Sequence, residues 1–357
     1  MTARPGRRVL ILRSSSLGDI AHVVPAVAAL REDDPSRHIG WLVNTPLAGF
    51  VRDLAPVDRI HRFDREALRG RPSGRGLRSL LALVLELRAE RYDTVLDFQA
   101  LLRTDILGLL SGAPRRLGPG EGREGSLFKT RRVRTWPRAR HPAERAAALV
   151  GALGVVVPEP LRIATTPAMR AAALALGDIG AAPGVVLAPG ARWPSKVWPR
   201  RHWLELGRLI GSAARPVTVV GTADERALAD ELAAAAGGRS LAGETDAAAL
   251  AGLLDHAALV VGSDSGALQL AAMLGRPTLA LFGPTRLSWT WPRGPGARVL
   301  HRRLDCLGCR ARRCPRTGHP CMNELEPALV ADAVLTSLAE IETRAEADAT
   351  ATNGGNH

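Results

Sequence analysis

At 357 residues with 46% hydrophobic residues, the chain can bury sizeable cores and has the length of about two domains, so disorder is not its default. Lys and Arg total 48 against 35 Asp and Glu, and the formal charge of +13 calls for an anionic partner: nucleic acid, an anionic membrane surface or a phosphorylated substrate. Aromatics at 4%, with no stacking motif, zinc-finger spacing or basic helix repeat, argue against nucleic acid, and no apolar run reaches the roughly 18 to 20 residues that span a bilayer.

Residues Arg8 to Arg13 (RVLILR) form a short apolar run that leads on from Met1 without a signal-peptide core, which predicts a cytoplasmic protein opening on a strand. A small-residue loop follows, then helical spacing over Ile20 to Arg31. Strands are expected at Ile39 to Val43, Arg59 to Phe63 and Thr94 to Phe98, and helices at Leu77 to Ala89 and Leu101 to Leu110. Apolar strands spaced by helices imply a parallel sheet covered on both faces. Between Gly118 and Arg140 glycine and arginine dominate, and the segment reads as a basic, mobile loop.

Beyond the helical stretch His141 to Leu153, the proline-bearing segment Val157 to Pro167 is the expected interdomain linker. A second alternating series follows: strands at Gly184 to Ala188, Pro216 to Val220, Ala258 to Gly262 and Pro277 to Phe282, with helices at Pro199 to Ser212, Asp224 to Ala236, Ala247 to His256 and Ala267 to Leu274. The last helix is expected over Pro327 to Glu340, and the Ala-, Thr-, Gly- and Asn-rich tail Thr343 to His357 is expected to be disordered. The resulting division is an N-terminal domain over 1–160, a C-terminal domain over 161–326, a final helix over 327–342 and a tail over 343–357.

In open parallel sheets, ligands bind beyond the carboxyl ends of strands, where loops meet positively polarised helix N-termini. Three motifs lie in such loops. In Ser14-Ser15-Ser16-Leu17-Gly18-Asp19, with His22 one turn on, Asp19 is either a general base or a helix-capping residue. In Pro189 to Lys196, Lys196 and Ser195 suit a diphosphate, the alternative being solvated loop cations. In Gly262-Ser263-Asp264-Ser265-Gly266, Ser265, Gly266 and the next amides offer an anion site, or simply a capped helix. This last loop is neither the GxGxxG of a dinucleotide fold nor a Walker loop with its GK[ST]. Cys306, Cys309, Cys314 and Cys321, with His319 nearby, read as a structural zinc knot or as reduced structural thiols.

These residues stand in five ordered segments, RSSSLGDIAHVVPAV, YDTVLDFQALLR, HPAER, PGARWPSKVWPRRHW and SDSGALQLAAMLGRPTLALFGPT, and with them the chain resembles glycosyltransferase family 9, the ADP-heptose:lipopolysaccharide heptosyltransferases, from about Val9 to Leu338. The resemblance implies a GT-B architecture of two Rossmann-like, doubly wound domains facing across a cleft, with the final helix packing back toward the first. It also implies an inverting transfer that needs no cofactor. Asp19 aligns with the family's catalytic base; Ser195, Lys196, Glu225, Asp264, Ser265, Gly266 and Gln269 fall on the donor side, and Ser16, Gly18, His22, Arg103, Arg123, His141 and Arg145 on the acceptor side. Gln269 departs from the family's usual histidine. The implied partners are an ADP-sugar, a phosphorylated glycolipid and, by reversible contact, the anionic inner face of the cytoplasmic membrane, with the chain acting as a monomer. Two alternatives share the sequence: the same fold serving another nucleotide-sugar or acceptor, and a non-catalytic nucleotide-sugar-binding protein in which Asp19 is only a cap.

Overall fold

Each short apolar run becomes a strand with both faces covered, because a strand without polar alternation has no side to give to water. The computed structural model describes residues 6–64, 74–120, 128–134, 141–177, 183–211 and 215–353. Its contacts divide the chain into two units, Met1–Ala164 and Thr165–His357. In the first, β1 (Arg8–Leu12), β2 (His38–Asn44), β3 (Arg59–Phe63), β4 (Thr94–Asp97), β5 (Arg115–Pro119) and β6 (Arg131–Val133) form a parallel sheet in the order β3-β2-β1-β4-β5-β6. In the second, β7 (Val185–Ala188), β8 (Val217–Val219), β9 (Arg239–Ser240), β10 (Leu259–Ser263), β11 (Thr278–Leu281) and β12 (Ala297–Leu300) form another, ordered β12-β11-β10-β7-β8-β9. Counted from its own first strand, each sheet is wound in the same Rossmann-like order. The strand order therefore reverses between β1 and β4 in one unit and between β7 and β10 in the other, and ligand crevices open at such reversals.

The cores follow from the same runs. Leu10, Leu12, Leu42 and Val95 pack under Leu83, Val84, Leu87 and Leu107 in the first unit. Leu187, Val219, Val261 and Leu279 pack with Trp198, Trp203 and Leu206 in the second.

Three expectations change. The first helical stretch is two helices, Leu17–Ala21 and Val24–Asp33, the second carrying Pro25 in its opening turn, where a residue without an N–H is tolerated. The supposed loop Gly118 to Arg140 holds the end of β5 and all of β6, with 121–127 and 135–140 outside the described residues. Its arginines hid an edge strand whose outer side needs no apolar residues. The final helix runs Pro327–Asn353 through most of the expected tail, whose Ala, Glu and Arg residues favour helix; residues 354–357 lie outside the described residues. Within the second unit, Val330, Val334 and Leu338 of that helix join the cluster of Trp203 and Leu206. Beyond them Glu340 binds Arg298 of β12 at 2.5 Å, and Glu342 binds Arg215, just ahead of β8, at 2.7 Å.

Within the former loop, Lys129 is buried to 1% side-chain exposure between two carboxylates, 3.1 Å from Asp97 Oδ2 and 2.9 Å from Asp105 Oδ1. Its stem passes over Gly118, where a Cβ would stand 2.0 Å from Lys129 Cε, so only glycine leaves the path open. Burial pushes the Asp97 carboxyl above its ordinary value, while Lys129 and the amides of Ala100 and Gln99 pull it back. Removing one member of a buried ion pair leaves an uncompensated charge. Lys129→Met is accordingly expected to cost about 3–5 kcal/mol in urea-induced unfolding, and an unchanged midpoint would contradict this assignment.

Candidate active site

The loops at the two strand-order reversals carry the motifs that the sequence singles out. In the first unit, β1 ends in Arg13 and the serine loop, and β4 ends in Asp97. Asp97 Oδ1 accepts the amides of Gln99 at 2.9 Å and Ala100 at 3.0 Å, which fixes the turn after β4. Gln99 Oε1 then reaches across to the β1 loop, accepting Ser14 N at 3.1 Å, Ser14 Oγ at 3.3 Å and Ser15 N at 3.4 Å. The two loops form one hydrogen-bonded unit.

On that platform, Asp19 Oδ2 accepts both the amide and the hydroxyl of Ser16, at 3.0 and 2.8 Å. Asp19 Oδ1 pairs with Arg13 at 2.6 Å, and Arg13 also donates to the Phe98 carbonyl at 2.6 Å. Asp19 thus steadies the first turn of its helix from within, with Ser16 as the flanking cap residue. A carboxylate has about four lone-pair sites and three are used here; the side chain keeps 39% exposure, so one face remains for an incoming hydroxyl. Burial pushes the Asp19 carboxyl up, but Arg13, the Ser16 amide, the charge of His22 and the Ser16 hydroxyl outweigh it, leaving its pKa below the ordinary value.

Buried His22 meets buried His141 edge-on, ring centroids 4.8 Å apart, and His141 caps the helix Pro142–Gly151 by accepting the Ala143 amide on Nδ1. Gly18 is buried in the helix of Asp19, and Arg145 lies half-buried one turn after His141. Arg103 is half-buried on the helix Leu102–Leu110. Arg123 lies outside the described residues.

In the second unit, Lys196 Nζ lies 2.6 Å from Asp264 Oδ2, joining the loops after β7 and β10. Asp264 is buried; its Oδ1 accepts Gln269 Nε2 at 3.1 Å, and the same Nε2 donates to the Thr290 carbonyl at 2.6 Å. Ser265 heads the helix Gly266–Met273 without capping it through its side chain. The buried oxygens Ser263 Oγ, Ser265 Oγ, Gln269 Oε1 and Thr285 Oγ1 have no hydrogen-bond partner among the described residues. Unsatisfied buried polar atoms are uncommon, and three of these, on Ser263, Ser265 and Gln269, fall between the end of β10 and the helix that follows it, a place suited to polar ligand groups.

Two donor-side residues have partners within the protein. Ser195 is buried, and its hydroxyl donates to the Ala311 carbonyl at 2.6 Å, which ties down the cysteine segment. Glu225 accepts the Thr222 amide at 2.8 Å as the closing residue of a helix cap, and its carboxylate lies against Gly190, where a Cβ would come within 1.9 Å of Oε1. Arg13, Gln99 and Thr290 carry the geometry without having been singled out in the sequence.

All four cysteines are free thiols lining one enclosed cavity of about 40 Å³ together with His319. Burial and the neighbouring thiols push Cys321 up to about 11. No group of three or more His, Cys, Asp or Glu among the described residues is arranged to hold a metal ion. His319 Nε2 contacts the Ser195 carbonyl at 2.9 Å, so the segment buttresses the Lys196 loop whatever occupies the cavity.

The sequence profile of glycosyltransferase family 9 (heptosyltransferase) matches residues 80–319. Lipopolysaccharide heptosyltransferase 1 of Pseudomonas aeruginosa is 30% identical over 318 residues, covering 86% of this chain and 87% of its own. Among solved structures, the E. coli heptosyltransferase WaaC with ADP superposes with a TM-score of 0.75 at 25% identity, covering 92% of this chain and 99% of that one. The E. coli ADP-heptose lps heptosyltransferase II superposes at 0.74 with 22% identity, covering 94% and 99%. With two Rossmann-like sheets and these likenesses, the fold is of the GT-B class.

The Asp19 balance gives a signed expectation. A depressed carboxyl contributes stability above its unfolded pKa and loses it as pH falls through the folded value. Arg13→Gln removes the leading opponent of burial, so the Asp19 titration followed by carbon-detected NMR should move upward. No movement would mean that Arg13 does not hold the carboxylate ionised.

Proposed function

The chain belongs to glycosyltransferase family 9, and from that membership we propose that it transfers a heptose-like sugar, with inversion, from an ADP-sugar to a phosphorylated glycolipid of the lipopolysaccharide inner core. The observation that carries the reading is the loop cluster of Lys196, Asp264, Ser265 and Gln269, where a half-buried cation and unsatisfied polar oxygens meet at a helix N-terminus. Such a site suits a diphosphate joined to a polyhydroxy sugar.

In this mechanism Asp19 takes the proton of the acceptor hydroxyl while that oxygen attacks the anomeric carbon from the face opposite the diphosphate. The bond from the anomeric carbon to the diphosphate oxygen breaks, and ADP leaves with the electron pair. Arg13 and Ser16 hold Asp19 ionised and oriented, which readies it to accept a hydrogen bond before proton transfer. Lys196 is now paired with Asp264, so a donor diphosphate would take over part of its charge, and the loop amides would share the negative charge of the leaving group. No cofactor enters the transfer. Ser16, Gly18, His22, Arg103, Arg123, His141 and Arg145 are assigned to the acceptor side, and Glu225 to the ribose of the donor. We assign the chain to the cytoplasmic face of the membrane, as a monomer in reversible contact with it; no helix among the described residues is long and apolar enough to cross a membrane.

The test is ADP release with ADP-heptose and a truncated lipid A acceptor, run beside other nucleotide-sugars. Asp19→Asn should lower kcat about 10²- to 10⁴-fold with donor affinity retained. Undiminished activity in that variant would reduce Asp19 to a cap, and no ADP release by the unaltered protein would remove the proposal. For the cysteine segment, the zinc reading rests on residue type alone, four cysteines that line one cavity without being arranged around a metal position. Elemental analysis of protein purified without chelators should then find one zinc per chain, whereas metal-free protein with all four thiols titratable would assign reduced structural thiols.

A further inference from the structure

Two neighbouring helices of the first unit carry an apolar face that the fold does not use. On Gly74–Ala89, Leu83, Val84 and Leu87 are buried in the core, while Leu77, Leu81 and Leu85, spaced by four, are 67%, 58% and 58% exposed. On Leu102–Leu110, Leu107 is buried, and Leu102, Ile106 and Leu109 are 40%, 38% and 39% exposed. The helices touch, and Arg88 of the first donates to the carbonyl of Leu110 of the second at 2.9 Å. Two stripes of large exposed apolar side chains on touching helices are surface of the kind that marks a face meant to be covered.

Charge identifies the cover. The carboxylates of both helices are committed elsewhere: Glu86 binds Arg59 and His61, and Asp105 is buried against Lys129. Arg78 and Arg88 are exposed on the first helix beside the leucines. Leucines rimmed by arginines and lacking a facing carboxylate are the pattern of an interfacial helix on anionic lipid, with the apolar stripe entering the acyl boundary and the guanidinium groups meeting phosphates.

We propose that the exposed leucine face of helices Gly74–Ala89 and Leu102–Leu110 is the surface by which this protein docks on an anionic bilayer. This deepens, and rests on, the reading that its acceptor is a membrane-embedded glycolipid. The probe is co-sedimentation with phosphatidylglycerol–phosphatidylcholine vesicles, against pure phosphatidylcholine. The full chain should bind the anionic vesicles preferentially, and the triple variant Leu77→Ser, Leu81→Ser, Leu85→Ser should bind roughly tenfold more weakly or worse. Turnover on a deacylated, water-soluble acceptor should be unchanged in that variant, which also shows that it is folded, while turnover on vesicle-embedded acceptor should fall. Equal vesicle binding by variant and unaltered protein overturns the proposal. So does a dimer, seen by light scattering, that the variant abolishes, since a second copy would then be the cover. Vesicle binding is read without turnover, so failure of the transferase reading would appear in the ADP assay alone.

Discussion

A buried ammonium between two carboxylates governs the shape of the first unit's ligand-facing end. Lys129 neutralises Asp97 and Asp105 at a depth where neither carboxylate could be left alone without cost. With Asp97 held, its other oxygen is free to organise the turn of Gln99 and Ala100, and Gln99 in turn fixes Ser14 and Ser15. The position of Asp19 is therefore inherited through a relay of short polar contacts from a lysine 110 residues further along the chain. Rigid support of this kind is what a proton-accepting group needs, since small misplacements of reacting groups are costly in rate.

The second unit solves the same problem with fewer parts. Lys196 and Asp264 span the reversal between β7 and β10, and Gln269 fixes the other carboxylate oxygen of Asp264. Here the cation is itself the group proposed to meet the ligand. Its partner keeps the ammonium aimed at 16% side-chain exposure, where an unpaired charge would be poorly solvated.

Much of this was legible in the chain itself, and the limits have physical causes. Ser14 to Asp19 and Gly262 to Gly266 stood out because strand, small-residue loop and helix follow one another locally, and the place of such loops in a parallel sheet is dictated by topology. Gln99 did not stand out, because its partners lie 85 and 84 residues away and nothing in local pattern reports a long-range hydrogen bond. The bond from the Ser195 hydroxyl to Ala311, 116 residues on, was illegible for the same reason. β6 was missed because an arginine-rich edge strand lacks the apolar signature of its neighbours. The helical tail was missed because polarity was taken for disorder where alanine favours helix.

The ion pairs near the end of that last helix have a mechanical meaning. Glu340 grips β12, an edge strand, and Glu342 grips the segment ahead of β8, toward the opposite edge of the same sheet. Between these grips and the hydrophobic contacts of Val330 to Leu338, the helix acts as a strap laid across the strands. A force applied at the chain's carboxyl end would peel this strap before it could shear the sheet, so the C-terminal helix would be the first part to yield and the β7–β10 junction among the last.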